Sequence, residues 1–133
     1  MGLSNSTLNN PWPKVKEGCR SFEEILSRDQ NEDELVEDLF SLLSTTKPLS
    51  DINNIQTTFD EFKSRIWIPH FYNTNFSPNS AYGTRTGTVV LVDHEGQVLF
   101  VERDHSEFKG ADPRETEDNK TLTFRFSLEA NTS

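Results

Sequence analysis

The sequence predicts an α+β fold: two N-terminal helices packed on a mostly antiparallel sheet of three to four strands. Three observations carry this. Apolar residues recur every three or four positions in the first 45 residues. They alternate, or run together in short blocks, in the last 50. A glycine turn, Asp93-His94-Glu95-Gly96, joins two of those blocks as a hairpin.

The first helix is expected to open at Asn9-Asn10-Pro11, with Asn as cap and Pro in the first turn. Trp12, Val15, Cys19, Phe22 and Leu26 then mark one face as far as about Ser27, the face that should pack into a core. Gly18 weakens this helix. The second helix opens at Asn31, which with Glu34 forms a capping-box pattern. Leu35, Val36, Leu39, Phe40, Leu42 and Leu43 give its apolar stripe, and Lys47-Pro48 closes it.

Residues 45–58 read as loop, with a turn of helix at Thr58–Phe62. Ile66 and Ile68 alternate with Trp67 in a strand that Pro69 ends, and 70–80 is loop. Thr86–Asp93 and Gln97–Arg103 are the hairpin strands. The run Val89-Val90-Leu91-Val92 predicts burial on both faces. Residues 104–120, rich in acids, are expected to form a mobile solvated loop. Leu122, Phe124, Phe126 and Leu128 alternate with polar residues in a last strand.

The 133 residues leave room for about one domain, and 1–133 is read as one. Ile, Leu, Val and Phe make up about a quarter of the chain, above the ~20% that separates folding from disordered compositions. The formal charge of −9 disfavours nucleic acid and anionic membrane surfaces as partners. No apolar run is long enough to span a membrane. The single cysteine, Cys19, excludes an internal disulfide and a Cys-cluster metal site. The histidines, His70, His94 and His105, have no metal-ligand spacing, so no metal is expected. Met1-Gly2 with Ser6 fits the loose N-myristoylation pattern, with Gly2 as acceptor.

Two segments stand apart. Gly2-Leu3-Ser4-Asn5 precedes the first helix, and Tyr82-Gly83-Thr84-Arg85-Thr86 leads into a strand. An arginine where a central strand begins needs a partner if it is buried. That partner is a structural carboxylate or an anionic ligand, and the sequence leaves both open.

These segments, with Pro11-Trp12-Pro13-Lys14, Thr88–Asp93, Gly96, Phe100, Glu102-Arg103 and Phe124-Arg125-Phe126, resemble the NRDE family of transport and Golgi organisation proteins. The resemblance is to the C-terminal half of that family. Its Met-Cys start and Asn-Arg-Asp-Glu motif have no counterpart here, so the chain reads as a fragment, an alternative start or a gene remnant. The family is similar to N-terminal nucleophile hydrolases of the penicillin V acylase type, which implies a partial αββα domain. On that resemblance Asn5 corresponds to an oxyanion-holding Asn, and Arg85, beside Tyr82, to an active-site wall.

The family's roles imply Golgi organisation, protein secretion or haem trafficking. Haem is then a cargo, not a cofactor, and no cofactor is expected. Without a nucleophile at its start the chain is expected to be non-catalytic; the alternatives are an amidohydrolase half lacking its nucleophile segment, or a non-functional remnant. The expected partner is a protein or a small molecule. The expected location is cytoplasmic, with Golgi, endoplasmic reticulum or mitochondrial association implied by the resemblance. A half-fold should leave a sheet edge unpaired and an apolar face uncovered, which points to self-association through the edge.

Overall fold

The computed structural model describes residues 2–47, 54–72, 81–104 and 121–128. Three helices precede five strands: α1 (Pro13–Leu26), α2 (Glu32–Leu43), α3 (Ile55–Phe62), β1 (Phe71–Tyr72), β2 (Ala81–Tyr82), β3 (Thr86–Val92), β4 (Gln97–Asp104) and β5 (Thr121–Ser127). The α+β class read from the sequence is therefore the observed one. The chain divides into two compact units, 1–84 and 85–133.

In the first unit α1 begins later than predicted. Proline disfavours helical backbone in the residue before it. Trp12 accordingly sits extended at φ −62°, ψ 153°, and the helix starts at Pro13, with Trp12 in the cap position and no side-chain cap. The Lys14 N–H, left over at the helix start, donates to the Lys63 carbonyl at 3.0 Å. The predicted capping box on α2 is complete: the Asn31 side chain accepts from the Glu34 N–H, and Glu34 accepts from the Asn31 N–H, both at 3.0 Å. Glu32, Asp33 and Glu34 occupy the first turn, where the helix dipole favours negative charge. Between the two helices Ile25 is buried, and from α2 so are Val36, Leu39 and Phe40.

Helix α3 was only partly legible, since the loop reading of 45–58 runs over its first turn. Asn54 caps it by accepting from the Thr57 N–H at 3.0 Å. Ile55, Phe59 and Phe62 do recur at helical spacing, but over too short a run to outweigh the polar residues around them.

The strand predicted across Lys63–Pro69 does not form. This stretch is stitched instead to its neighbours: Arg65 Nε donates to the Lys47 carbonyl at 2.9 Å, and the Trp67 N–H to Thr45 at 3.0 Å. Ile68 exchanges bonds with Thr84, whose hydroxyl accepts at 2.9 Å and whose N–H donates at 2.8 Å. Backbone groups satisfied singly in this way leave no ladder to propagate. The predicted loop 70–80 holds instead the first strand of a short antiparallel pair, with Phe71 opposite Tyr82. Phe62, Ile68 and Phe71 form the buried cluster beside it.

The second unit is an antiparallel sheet of order β3-β4-β5. Gly96 makes the hairpin turn possible, because its φ of +77° is a conformation other residues rarely adopt. The Asp93 side chain fixes that turn by accepting from the Glu95 and Gln97 N–H groups at 2.9 and 2.8 Å. The expected coverage of both faces of β3 is not observed. Val89 is buried at 5% exposure, whereas Val90 and Val92 are 52% and 56% exposed. An unbroken apolar run states an affinity for neighbours on both faces, and here Val90 and Val92 keep half their surface exposed. The predicted acidic loop, apart from Asp104 at the end of β4, lies outside the described residues.

Candidate functional site

The apolar stripe on α1 does not close into a core. Val15, Cys19, Phe22 and Leu26 line one wall of an open cavity of about 500 Å³. Leu42 and Leu43 of α2 and Ile66 complete the apolar lining, and Gly2 and Leu3 lie across it from the N-terminal segment. Phe22 and Leu26 stay 42% and 53% exposed, because what faces them is the cavity rather than a packed neighbour. A volume of this size, walled mainly by carbon, is typical of a small-molecule site.

Two glycines shape the cavity in different ways. A Cβ on Gly2 would stand 2.6 Å from Val15 Cγ1 and 2.9 Å from Cys19 Sγ, so only glycine lets the N-terminal segment lie this close to α1. Gly18 has room, since its Cβ would meet only Ile66 Cδ1, at 3.6 Å.

The polar groups of the lining are few. Lys14 is half-buried, and burial lowers its pKa below the ordinary lysine value by penalising the charged form. Its ammonium sits 5.3 Å from the centre of the Trp12 ring, a cation–π contact, and among the described residues no carboxylate lies within ion-pairing distance. Cys19 and Glu23 belong to the same lining. The Ser4 hydroxyl, nearby in sequence, is buried with no hydrogen-bond partner among the described residues.

Of the candidates Gly2, Asn5, Tyr82 and Arg85, Gly2 alone lines this cavity. Asn5 is exposed in the N-terminal segment. Tyr82 is 45% exposed and stacks on Phe62, with ring centres 5.3 Å apart. Arg85 is 69% exposed at its side chain and stands 3.8 Å from the Asp104 carboxylate. Gly83 is held against the backbone of His70: a Cβ there would lie 2.9 Å from His70 Cα.

Among the described residues the buried arginine is Arg65, which sequence reasoning missed. It is 8% exposed, pairs with Glu61 at 3.3 Å and donates to two carbonyls, those of Lys47 and Glu61. Lys14 was also missed as a lining residue. Its position one turn before Gly18, beside the apolar stripe, was the available signal. Among the described residues, no three potential ligands cluster to hold a metal, and no helix is long and apolar enough to cross a membrane.

Comparison with known proteins agrees with the motifs. The family model described as Transport and Golgi organisation 2 matches residues 1–107, which takes in the helical unit and the β3–β4 hairpin. The chain is 34% identical over 131 residues to the bovine Transport and Golgi organization protein 2 homolog. It is 30% identical to the mouse homolog and 29% identical to the human one over the same length. Each alignment covers 97% of this chain but 45% of the relative, so the chain spans a little under half the length of the proteins it matches. With its helical unit, its hairpin and both of its distinctive segments inside the matched region, the chain belongs to the Transport and Golgi organisation 2 family.

Proposed function

We propose that the chain acts without catalysis of its own, in Golgi organisation and secretion or in haem trafficking, by holding an apolar cargo with an acidic group in the α1 cavity. The observation that carries this reading is Lys14. A lysine drawn out of water beside a carbon-lined cavity, with no carboxylate of the described residues in ion-pairing reach, lacks among them the counter-charge that would offset its desolvation. An anionic group on a bound molecule supplies it, and the apolar body then fills the space between α1, α2 and Ile66. Haem, with its carboxylates on a flat apolar ring, has this chemistry.

The reading is tested by titrating haem into the purified chain and following the absorption band of the bound porphyrin. Saturable binding is expected. Lys14→Met should weaken it about tenfold or more, the range of a charge-assisted bond, without lowering stability. Affinity should also fall as pH rises through the Lys14 pKa, because the neutral amine no longer attracts an anion. Binding that is indifferent to Lys14, or absent, defeats the proposal.

A second reading draws on the chain's coverage of its relatives: the chain is half of an amidohydrolase whose nucleophile lies in the unmatched length. Assaying acyl-amide cleavage by a longer form that starts with cysteine, against its Cys→Ser variant, tests it.

A further inference from the structure

Directly opposed residues in an antiparallel ladder project to the same side of the sheet. The register therefore places Val89 with Val101, and Leu91 with Leu99, on one face. It places Val90–Phe100–Phe124 and Val92–Val98–Phe126 as two parallel rows across the other. In those rows Val98, at the centre, is buried, while Val90, Val92, Phe124 and Phe126 are each 51% to 56% exposed. Leu128 continues the alternation beyond β5 and is 55% exposed. At the 150–250 Å² typical of a large side chain, five half-exposed residues offer about 400–500 Å² per molecule. Patches of that extent mark interaction surfaces on soluble proteins.

We propose that this face, rather than the edge of the sheet, joins two copies of the chain about a two-fold axis running along β4. The face is uneven in a way that fits itself. Its β5 side carries the bulky Phe124 and Phe126, and its β3 side the smaller Val90 and Val92. A rotation about β4 lays β5 of one copy over β3 of the other, so phenylalanines meet valines and the central Val98 and Phe100 meet their own counterparts. Two sheets packed in this way interdigitate about 10 Å apart. The paired apolar area of about 800–1,000 Å² is that of a weak, reversible interface.

The charges select this axis. The acids on the face, Glu102 and Asp104, lie at one end of it. A two-fold along the strands keeps them together at a wet rim, whereas one across the strands would press Glu102 onto the apolar rows. Asp104 is partly offset by Arg85 at 3.8 Å, so the repulsion across the rim rests mainly on the two Glu102 carboxylates, and association should tighten with added salt and as pH falls towards the carboxylate range.

The experiment uses the full chain. Sedimentation equilibrium from micromolar to submillimolar concentration should give a dimer, and Phe124→Lys a monomer with an unchanged circular dichroism spectrum. If that variant unfolds, the milder Phe124→Thr serves, with a dissociation constant raised roughly tenfold or more. Cross-linking reports the axis without weakening the face. In a Cys19→Ser background, a mixture of Val90→Cys and Phe124→Cys chains should form a mixed disulfide in preference to either homodimer. A monomer at every concentration overturns the proposal. So does a dimer that survives Phe124→Lys but is lost with Thr123→Pro, which blocks the β5 edge, and so does preferential Phe124–Phe124 cross-linking.

Discussion

Arg65 and Arg85 show how burial is assigned one side chain at a time. The sequence draws attention to Arg85, at the mouth of a strand, yet its side chain is largely in solvent beside Asp104. Arg65 sits in an unremarked Lys-Ser-Arg run and is enclosed. Its guanidinium serves the Lys47 carbonyl, the Glu61 carbonyl and the Glu61 carboxylate at once, which only a rigid fork of several donors can do. Arg65→Ala strands a half-buried carboxylate and is expected to lower stability by about 2–4 kcal/mol in urea unfolding. Arg65→Lys should recover less than half of that, since one ammonium cannot reach the same three acceptors. A full recovery would show that charge alone matters at this site. Nothing in a single sequence announces such a residue, because its partners stand at offsets of 4 and 18 along the chain.

The helices divide according to how local their causes are. The start of α2 is written within four residues: Asn31 and Glu34 satisfy each other's backbone groups, and the acids between them complement the dipole. Asn31→Ala should therefore cost about 1 kcal/mol, read from the thermal midpoint. In α1 the residue to change is Gly18. Glycine inside a helix is unfavourable by up to ~1 kcal/mol relative to alanine, and a methyl group here meets only Ile66, at ordinary contact distance. Gly18→Ala is expected to raise stability by about that much. Gly18→Leu should instead fill the cavity and abolish haem uptake, with the helix itself intact by circular dichroism. The start of α1 was misplaced by reading Asn9-Asn10 as the cap. The second proline, Pro13, overrides that signal because it holds Trp12 extended. β5 needed no correction of kind, since strict alternation has one structural meaning.

At the scale of the whole molecule, charge and exposed carbon oppose each other. The formal charge of −9 keeps copies apart at neutral pH, and the sequence pI of about 4.7 marks where that repulsion vanishes. Average mass in light scattering should rise as pH is lowered from 8 towards 5, and added salt should act in the same direction; a flat response would remove electrostatics as the restraint. Further acidification also reaches Asp60, whose pKa is lowered by the hydrogen bond from Lys63 at 2.8 Å and then by that from Gln56 at 3.2 Å. A carboxyl with a folded pKa below its unfolded one stabilises above the unfolded value and loses that contribution as pH falls through the folded one. Asp60→Asn should thus blunt the last part of the acid-unfolding curve.

By itself the sequence determined the class of fold, the capping of α2, the β3–β4 hairpin with its glycine, the alternation of β5 and the family. All of these rest on spacings of a few residues or on motifs read in order, where backbone geometry and local hydrogen bonds decide. Only the tertiary structure decided which arginine is enclosed, that the α1 stripe walls a cavity instead of a core, and that the second face of the sheet is open. Periodicity reports that a face is apolar, but what lies across from it is set by contacts between residues far apart in the chain.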